Sequence, residues 1–579
     1  MLIIACYYSM FKTISFIVGF TLLCILGGGV STLQAQDLSQ IGQAHPVRLS
    51  GSLNVQAGPY LYFGDGDPRN DPFWWQLTGS PSINVYGWQI PFTFNYGSRN
   101  RSFSQPFNRY GVSPYYKWLT LHAGYRSIRM NPYVMSGIQF LGGGVEMNPK
   151  GFRFAAFYGR FAKPISQDTN ATITESPIAA FKRMGYGAKV GVGNRRSYFD
   201  ISLVKVYDEL QSIAVLDSAA LKPQDNAALG ISSKLAVSKR VTFSFDMGLS
   251  LLNRDINMVV IDTVQRYNPF PGFFQPRVGI QLLKAGSAAI SYNHKNFGLK
   301  VQAKQVDPDY RALAAFYQQT DLRSITIEPS IRLAKNKIKL SGSIGRQQDN
   351  ITGRKAFTSV RTISSANVAL QPTKNYNLNV NFSNYGTAQE QGLRVVNDTF
   401  RVAQNNLSLS LSQNYTFINK LRSMNFSMNV SYQELQDLNP FGTYATGENQ
   451  VWFMNLNANH IRLRDNFGLL GGVNVSHNTF YTGSYFLVGP TIGASKPFRN
   501  DKLRTSLNVS YNKGFQSGQP AGATLNSFAT VAYQVKKAHQ FNLTINALHN
   551  STPFVSPSGG SFTEVRFLVG YTLIFQRKS

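Results

Sequence analysis

Three scarcities shape the reading of this 579-residue chain. Cysteine occurs only at Cys6 and Cys24. Beyond residue 24 no disulfide can form, and a thiolate zinc site is excluded with it. Charged residues make up only 15%, and acids are the scarcer part: 28 Asp and Glu against 57 Lys and Arg, a net +29. Beyond the leader there is no apolar run of the ~20 residues that a membrane-crossing helix needs, so helical spanning is excluded. Spanning by strands is not, because a barrel strand needs only about ten residues with alternate ones apolar.

What is present begins with a leader. Lys12 precedes the apolar run Ile14 to Leu26, and GGGVSTLQAQ follows. A basic start, an apolar centre and a small-residue exit predict a signal peptide over 1–36, cleaved near Ala35 or Gln36. Cys24 follows Leu23 rather than a small residue, which argues against lipidation at that point. Export makes nucleic acid an improper partner in spite of the charge. An acidic surface or anionic solutes remain to answer it.

The rest of the chain, 37–579, is expected to be one domain. Its period is two almost throughout. In RSMNFSMNVSYQ, Met424, Phe426, Met428, Val430 and Tyr432 alternate with Asn425, Ser427, Asn429, Ser431 and Gln433. NYNLNVNFSNY and QFNLTINAL alternate in the same way. Tight turns at 237–240, 333–337, 371–375, 417–421, 463–467, 498–502 and 535–539 are separated by longer links near 207–226, 253–275, 307–321, 386–399, 435–449 and 549–561. Short and long alternate, which is the parity of an up-and-down barrel with short periplasmic turns and longer outer loops. The fold class predicted is all-β: a single antiparallel transmembrane β-barrel of about 24 strands, with 22–26 allowed. About 19 of these lie between Met184 and Phe575 and about five before.

The last strand, SFTEVRFLVGYTLIF, ends almost without a tail. Phe567, Val569, Tyr571, Leu573 and Phe575 share one face. In a closed barrel this strand would pair with the first and leave no edge. The stretch from Gly570 to Phe575 resembles the C-terminal signal by which outer-membrane barrels are recognised by the insertion machinery. That resemblance marks Phe567, Gly570, Tyr571, Leu573 and Phe575 as assembly residues. It departs from the pattern at Leu568 and in the four residues after Phe575.

The whole chain resembles porin-like outer-membrane β-barrels of Gram-negative bacteria. QIPFTFNYG, QPFNRYGVSPYYKWLTLHAGYR, FLGGGVEMNP and FRFAAFYGRF are its most distinctive part, similar to a large group of mostly uncharacterised barrels. The resemblance implies an outer-membrane location, with lipid, lipopolysaccharide and the insertion machinery as partners. It assigns no substrate. Strand-like sequence begins near Arg48, so the plug of TonB-dependent transporters is not expected. A wide lumen is then left to inward loops, a filling or docking protein, or water.

Chemistry is sparse. The seven histidines, His45, His122, His294, His460, His477, His539 and His549, form no i, i+4 zinc pair. No phosphate loop, nucleophile elbow or cofactor motif is found, and LGGGVEMNPKG lacks the following helix that a phosphate cradle needs. No enzyme activity is expected. Asp65, Asp67, Asn70 and Asp71 lie close enough to hold calcium, although Asp, Gly and Pro also make an ordinary turn. Arg99, Arg101, Arg109, Lys117, Arg126 and Arg129 occur with no acid between them. If the 98–114 or 127–137 link turned inward, they would make a cationic constriction selecting anions. The simpler reading has them facing lipopolysaccharide. The function expected is passive or partner-gated passage of hydrophilic, possibly anionic, solutes. The alternative is a barrel that docks, secretes or anchors partner proteins.

Overall fold

The computed structural model describes residues 47–576 apart from 65, 99–102, 104, 167–178, 214–220, 262–271, 317–318, 392, 394–401, 440–447 and 553–559. The leader, 1–36, lies outside the described residues. Pairing runs from strand to strand around the molecule and returns to its start. β1 (Val47–Gly64) pairs antiparallel with the last strand, β26 (Phe562–Gln576), from Ser50↔Gln576 to Gly64↔Phe562. Every ladder of this sheet is antiparallel and joins strands that are neighbours in the chain, except that closing seam.

The barrel has 26 strands, two more than the central estimate of about 24. The excess lies at the N-terminal end. β2 is broken into Phe73–Gly79 and Ser82–Val85, and both pieces pair with β1. β3 is Trp88–Gly97. β4 is broken into Arg109–Val112 and Tyr115–Tyr116. Pro81 and Pro114 sit at the two breaks. Proline cannot donate to a ladder, so it interrupts the strand and hides its alternation. β5 (Leu119–Arg126), β6 (Phe140–Met147) and β7 (Phe152–Ala162) complete this part.

From β8 onward there are 19 strands, as expected. β8 is Lys182–Gly193, β9 Tyr198–Glu209, β10 Asp225–Ala236 and β11 Val241–Asn253. β12 is Gln281–Asn293, β13 Phe297–Val306, β14 Leu322–Leu333 and β15 Ile338–Gln348. β16 (Phe357–Thr373), β17 (Tyr376–Gln391), β18 (Ala403–Ile418), β19 (Arg422–Asp437) and β20 (Asn449–Arg462) are long. β21 (Phe467–Phe480), β22 (Gly483–Phe498), β23 (Leu503–Gln516), β24 (Gln519–Lys536) and β25 (His539–Ser551) lead to the seam. Links at one end hold two to four residues throughout. At the other end most are long, and those after β21 and β23 are two-residue turns.

The two faces of the wall differ as alternation requires. Large apolar side chains point outward and are uncovered: Ile492 is 65% exposed, Ile344 64% and Val569 59%. A wall of such residues needs lipid against it. The inward face is rich in Asn, Ser, Thr and Gly. One cross-strand row runs Asn379, Ser412, Asn429, Asn455 and Asn474 over β17 to β21.

Candidate functional site

Two links turn inward and meet. Residues 127–139 leave β5, and 307–321 leave β13. They join in a short parallel pairing, Met135↔Ala314 and Ala315↔Ser136. Val134 and Met135 are fully buried. With Ile128, Met130, Leu313 and Ala314 they pack on Phe140, Phe157, Val204, Val206, Leu252 and Val306 of the wall. Each such burial stabilises by roughly 1.5–3 kcal/mol. Tyr310 donates its hydroxyl to Tyr133 O at 2.8 Å, tying one link to the other.

Polar anchors fix the register of this inset. Asn131, 1% exposed, donates Nδ2 toward Ile231 O, Ser232 Oγ and Met247 O at 3.1, 2.9 and 3.2 Å. Its Oδ1 accepts from Tyr133 N at 2.8 Å. Asn226 donates to Ser250 Oγ and Leu251 O, and accepts from Leu313 N at 3.0 Å. The wall from β6 to β14 is thereby covered from within. From β15 to β25 the described residues leave the inner wall bare. A cavity of about 370 Å³ lies along its start, lined by Ser341, Ser365, Asn367, Asn381, Ser408 and Ser410 among others. At ~4.8 Å between strands tilted ~40°, 26 strands close a circle about 50 Å across. Two links of 13 and 15 residues cannot fill that width.

At the edge of the inset the wall carries paired charges. Arg153 grips Asp200 with two parallel bonds of 2.8 and 3.0 Å. Lys189, 7% exposed, is within electrostatic reach of Glu146 and Asp200. Ser232 donates to Asp246 at 2.6 Å. His122 lies between Ser113 Oγ and Glu146 Oε1, 3.0 Å from each. The order serine, histidine, carboxylate is that of a hydrolytic triad. Ser113 N, however, is already committed to Pro91 O at 3.1 Å and so is not a free donor for an oxyanion. A polar strut between β4, β5 and β6 accounts for the trio.

The basic residues singled out from the sequence divide. Arg99 and Arg101 lie outside the described residues. Arg109 projects inward from β4, donating to Pro106 O at 2.7 Å and to Gln139 Oε1 at 2.6 Å. Arg126 donates to Thr93 Oγ1 at 2.8 Å, and its Nε and Nη2 are buried with no hydrogen-bond partner among the described residues. Arg129 sits exposed on the inward link, within electrostatic reach of Asp246. Lys117 lies at the other end of β5, in a short turn with φ 51°, its ammonium 5.1 Å from the Tyr116 ring centre.

Of the calcium candidates, Asp65 lies outside the described residues. Around Asp67, Asn70 and Asp71 no group of three metal-ligating side chains forms among the described residues. The loop instead rests on the seam, with Arg69 stacked 4.1 Å from the Phe562 ring centre and 3.5 Å from Glu564. In β26, Phe567 and Leu573 lie opposite Ile545 and His539. Gly570 lies opposite Asn542, whose amide occupies the space a side chain at 570 would need. Tyr571 meets His539 Nδ1 at 2.7 Å, and Phe575 pairs with Gly51. Lys189, Asp200 and Asp246 are not singled out by the sequence, and 307–321 is read there only as a long link, because nothing local marks a segment that turns inward.

A closed antiparallel barrel with an apolar outer wall and a polar, partly filled lumen defines the porin-like class of membrane-spanning β-barrels, and this chain has that architecture. No protein-family model matches the chain, and no curated protein does. Solved structures similar to it are barrels. The P pilus usher translocation pore shares 10% identity at a TM-score of 0.36, over 92% of this chain and 100% of that one. The ferric-catecholate import receptor Fiu from E. coli K12 shares 8% at 0.37, over 91% and 81%. A BenF-like porin from Pseudomonas fluorescens Pf-5 shares 11% at 0.33, over 63% and 98%. Likeness at this level transfers no substrate or partner.

Proposed function

We propose that the protein is an outer-membrane channel of a Gram-negative bacterium for hydrophilic solutes, exported by the leader over 1–36. The observation that carries this reading is a lumen that the described residues fill on one side only. One inner wall is sealed by the two links, while the wall from β15 to β25 presents exchangeable amides and hydroxyls. Ser412 donates to Asn429 at 2.7 Å, Asn455 bonds Asn474, and Asn474 donates to Thr491 at 3.0 Å. Such groups replace a solute's water shell without holding it tightly. The net +29, with Arg126 and Arg129 on the lumen side, favours anions. A second reading, a barrel that docks or is filled by a partner protein, is favoured by the same width. The last strand is proposed to serve barrel assembly, and Asp67, Asn70 and Asp71 to offer oxygen ligands to calcium.

The test is conductance of the folded protein in a planar bilayer under a salt gradient. Stable steps with an anion-selective reversal potential are expected. Arg126→Ser with Arg129→Ser should move that potential toward zero while leaving the steps. Folded protein without conductance would overturn the passage reading and favour the filled barrel.

A further inference from the structure

A second cavity of about 460 Å³ opens at the long-loop end, on the outer side of the inset. Three arginines from three elements line it: Arg183 at the start of β8, Arg254 just past β11, and Arg311 on the inward link. Arg183 is held by Asp208 through bonds of 2.7 and 2.9 Å. Arg254 reaches Asp309 at 3.4 Å and Gln281 Oε1 at 2.8 Å. Arg311 makes no ion pair among the described residues. Three guanidiniums against two carboxylates leave one positive charge without a counter-ion. Arg311 is exposed on one side; partial desolvation, then the charges of Arg183 and Arg254, lower its guanidinium, and Asp208 opposes the shift. The described lining of the cavity is therefore net positive. Ile138, Ala312, Leu313, Ala315 and Phe316 give the same space an apolar side, with Tyr310 and Thr320 adding polar atoms.

We infer that this cavity is a binding site for a small organic monoanion, a carboxylate seated on Arg311 with its apolar body against Ile138 and Phe316. The charge excess of one sets the ligand's charge. The planar guanidinium fork suits a carboxylate. The volume is at the low end of small-molecule pockets, which suits a body of about one ring. The inference deepens the anion preference of the proposed channel by giving it a first stopping point at the outer mouth.

The experiment is calorimetric titration of the full, detergent-purified barrel at low salt with three probes: phenylacetate, phenylacetamide and acetate. Phenylacetate should bind at least tenfold more tightly than either of the others. Arg311→Gln should weaken phenylacetate at least tenfold, while Arg196→Gln, on an exposed short turn, should leave it unchanged. Unfolded variants are recognised by lost heat-modifiable gel mobility. Absent binding to the folded wild type, equal binding of phenylacetamide, or an indifferent Arg311→Gln variant would each overturn the site. Tighter binding of acetate than of phenylacetate would overturn its apolar half. Bilayer conductance on the same preparation keeps the two readings apart. Binding without conductance sinks the passage reading alone, and conductance without binding sinks the site alone.

Discussion

At the residue scale, a few buried polar groups hold the inset in place. Asn131 satisfies three wall acceptors at once, and no apolar residue could do so. Asn131→Ala would remove these bonds and leave the buried Tyr133 N–H without its acceptor, at a cost of about 1–3 kcal/mol. The expected outcome is a lower midpoint for loss of heat-modifiable mobility, together with larger and noisier conductance steps as the link loosens. A second residue-scale prediction concerns Asp321, 6% exposed, beside Lys355. Burial raises its carboxyl, but bonds from Lys355 and from the amides of Ile351 and Asn350 outweigh burial, and the net position lies below the usual range. The Lys355 ammonium is raised, chiefly by its bond to Asp321. A depressed acid contributes above its unfolded pKa and is lost as pH falls through the folded one. A raised base contributes below its unfolded pKa and is lost as pH rises. The link over 349–356 should therefore be best protected from hydrogen exchange between about pH 4 and pH 10. Asp321→Asn should abolish the acid limb of that profile.

At the scale of elements, the inward links act as a pair. Among the described residues, their only strand pairings are the two-residue ladder of 135–136 with 314–315 and a single Asn131–Met135 bridge, so each link is ordered mainly by the other and by the wall. Replacing residues 128–137 by a Gly-Ser segment of equal length should release 307–321 as well. The measurements are single-channel conductance, expected to rise several-fold, and proteolysis of 307–321, expected to accelerate. Unchanged conductance would mean that the permeating path never runs beside the inset. The strands themselves should survive, because ladder bonding and outer-wall packing do not pass through the links.

For the whole molecule, closure is the decisive event. Open edges in a bilayer would leave unpaired amides and carbonyls at several kcal/mol each. The seam joins β1 to β26 across about 500 residues of sequence, and Gly58 and Gly64 of β1 sit tight against it. A side chain at Gly58 would meet Phe567 O at 1.7 Å, a backbone atom with nowhere to go. Gly58→Val should sharply reduce the fraction of chain that reaches the heat-modifiable form. Gly471→Val, where nothing lies within 4 Å, should fold normally. Equal folding of the two variants would show that the seam tolerates displacement.

The amino-acid sequence by itself determined the period of two, the alternation of short and long links, the 19 strands from β8 onward and the strand that closes the ring. These are local properties: a residue's face follows from its neighbours two positions away, and a turn from the few residues that make it. The same locality explains the shortfall at the N-terminal end, where Pro81 and Pro114 break two strands and erase the pattern. Only the tertiary structure decided which links turn inward, that Asn131 meets Ser232 a hundred residues on, and that Arg183, Arg254 and Arg311 share one cavity. Inward folding depends on apolar residues of two distant links burying one another against a common wall. That energy exists only once the wall has closed.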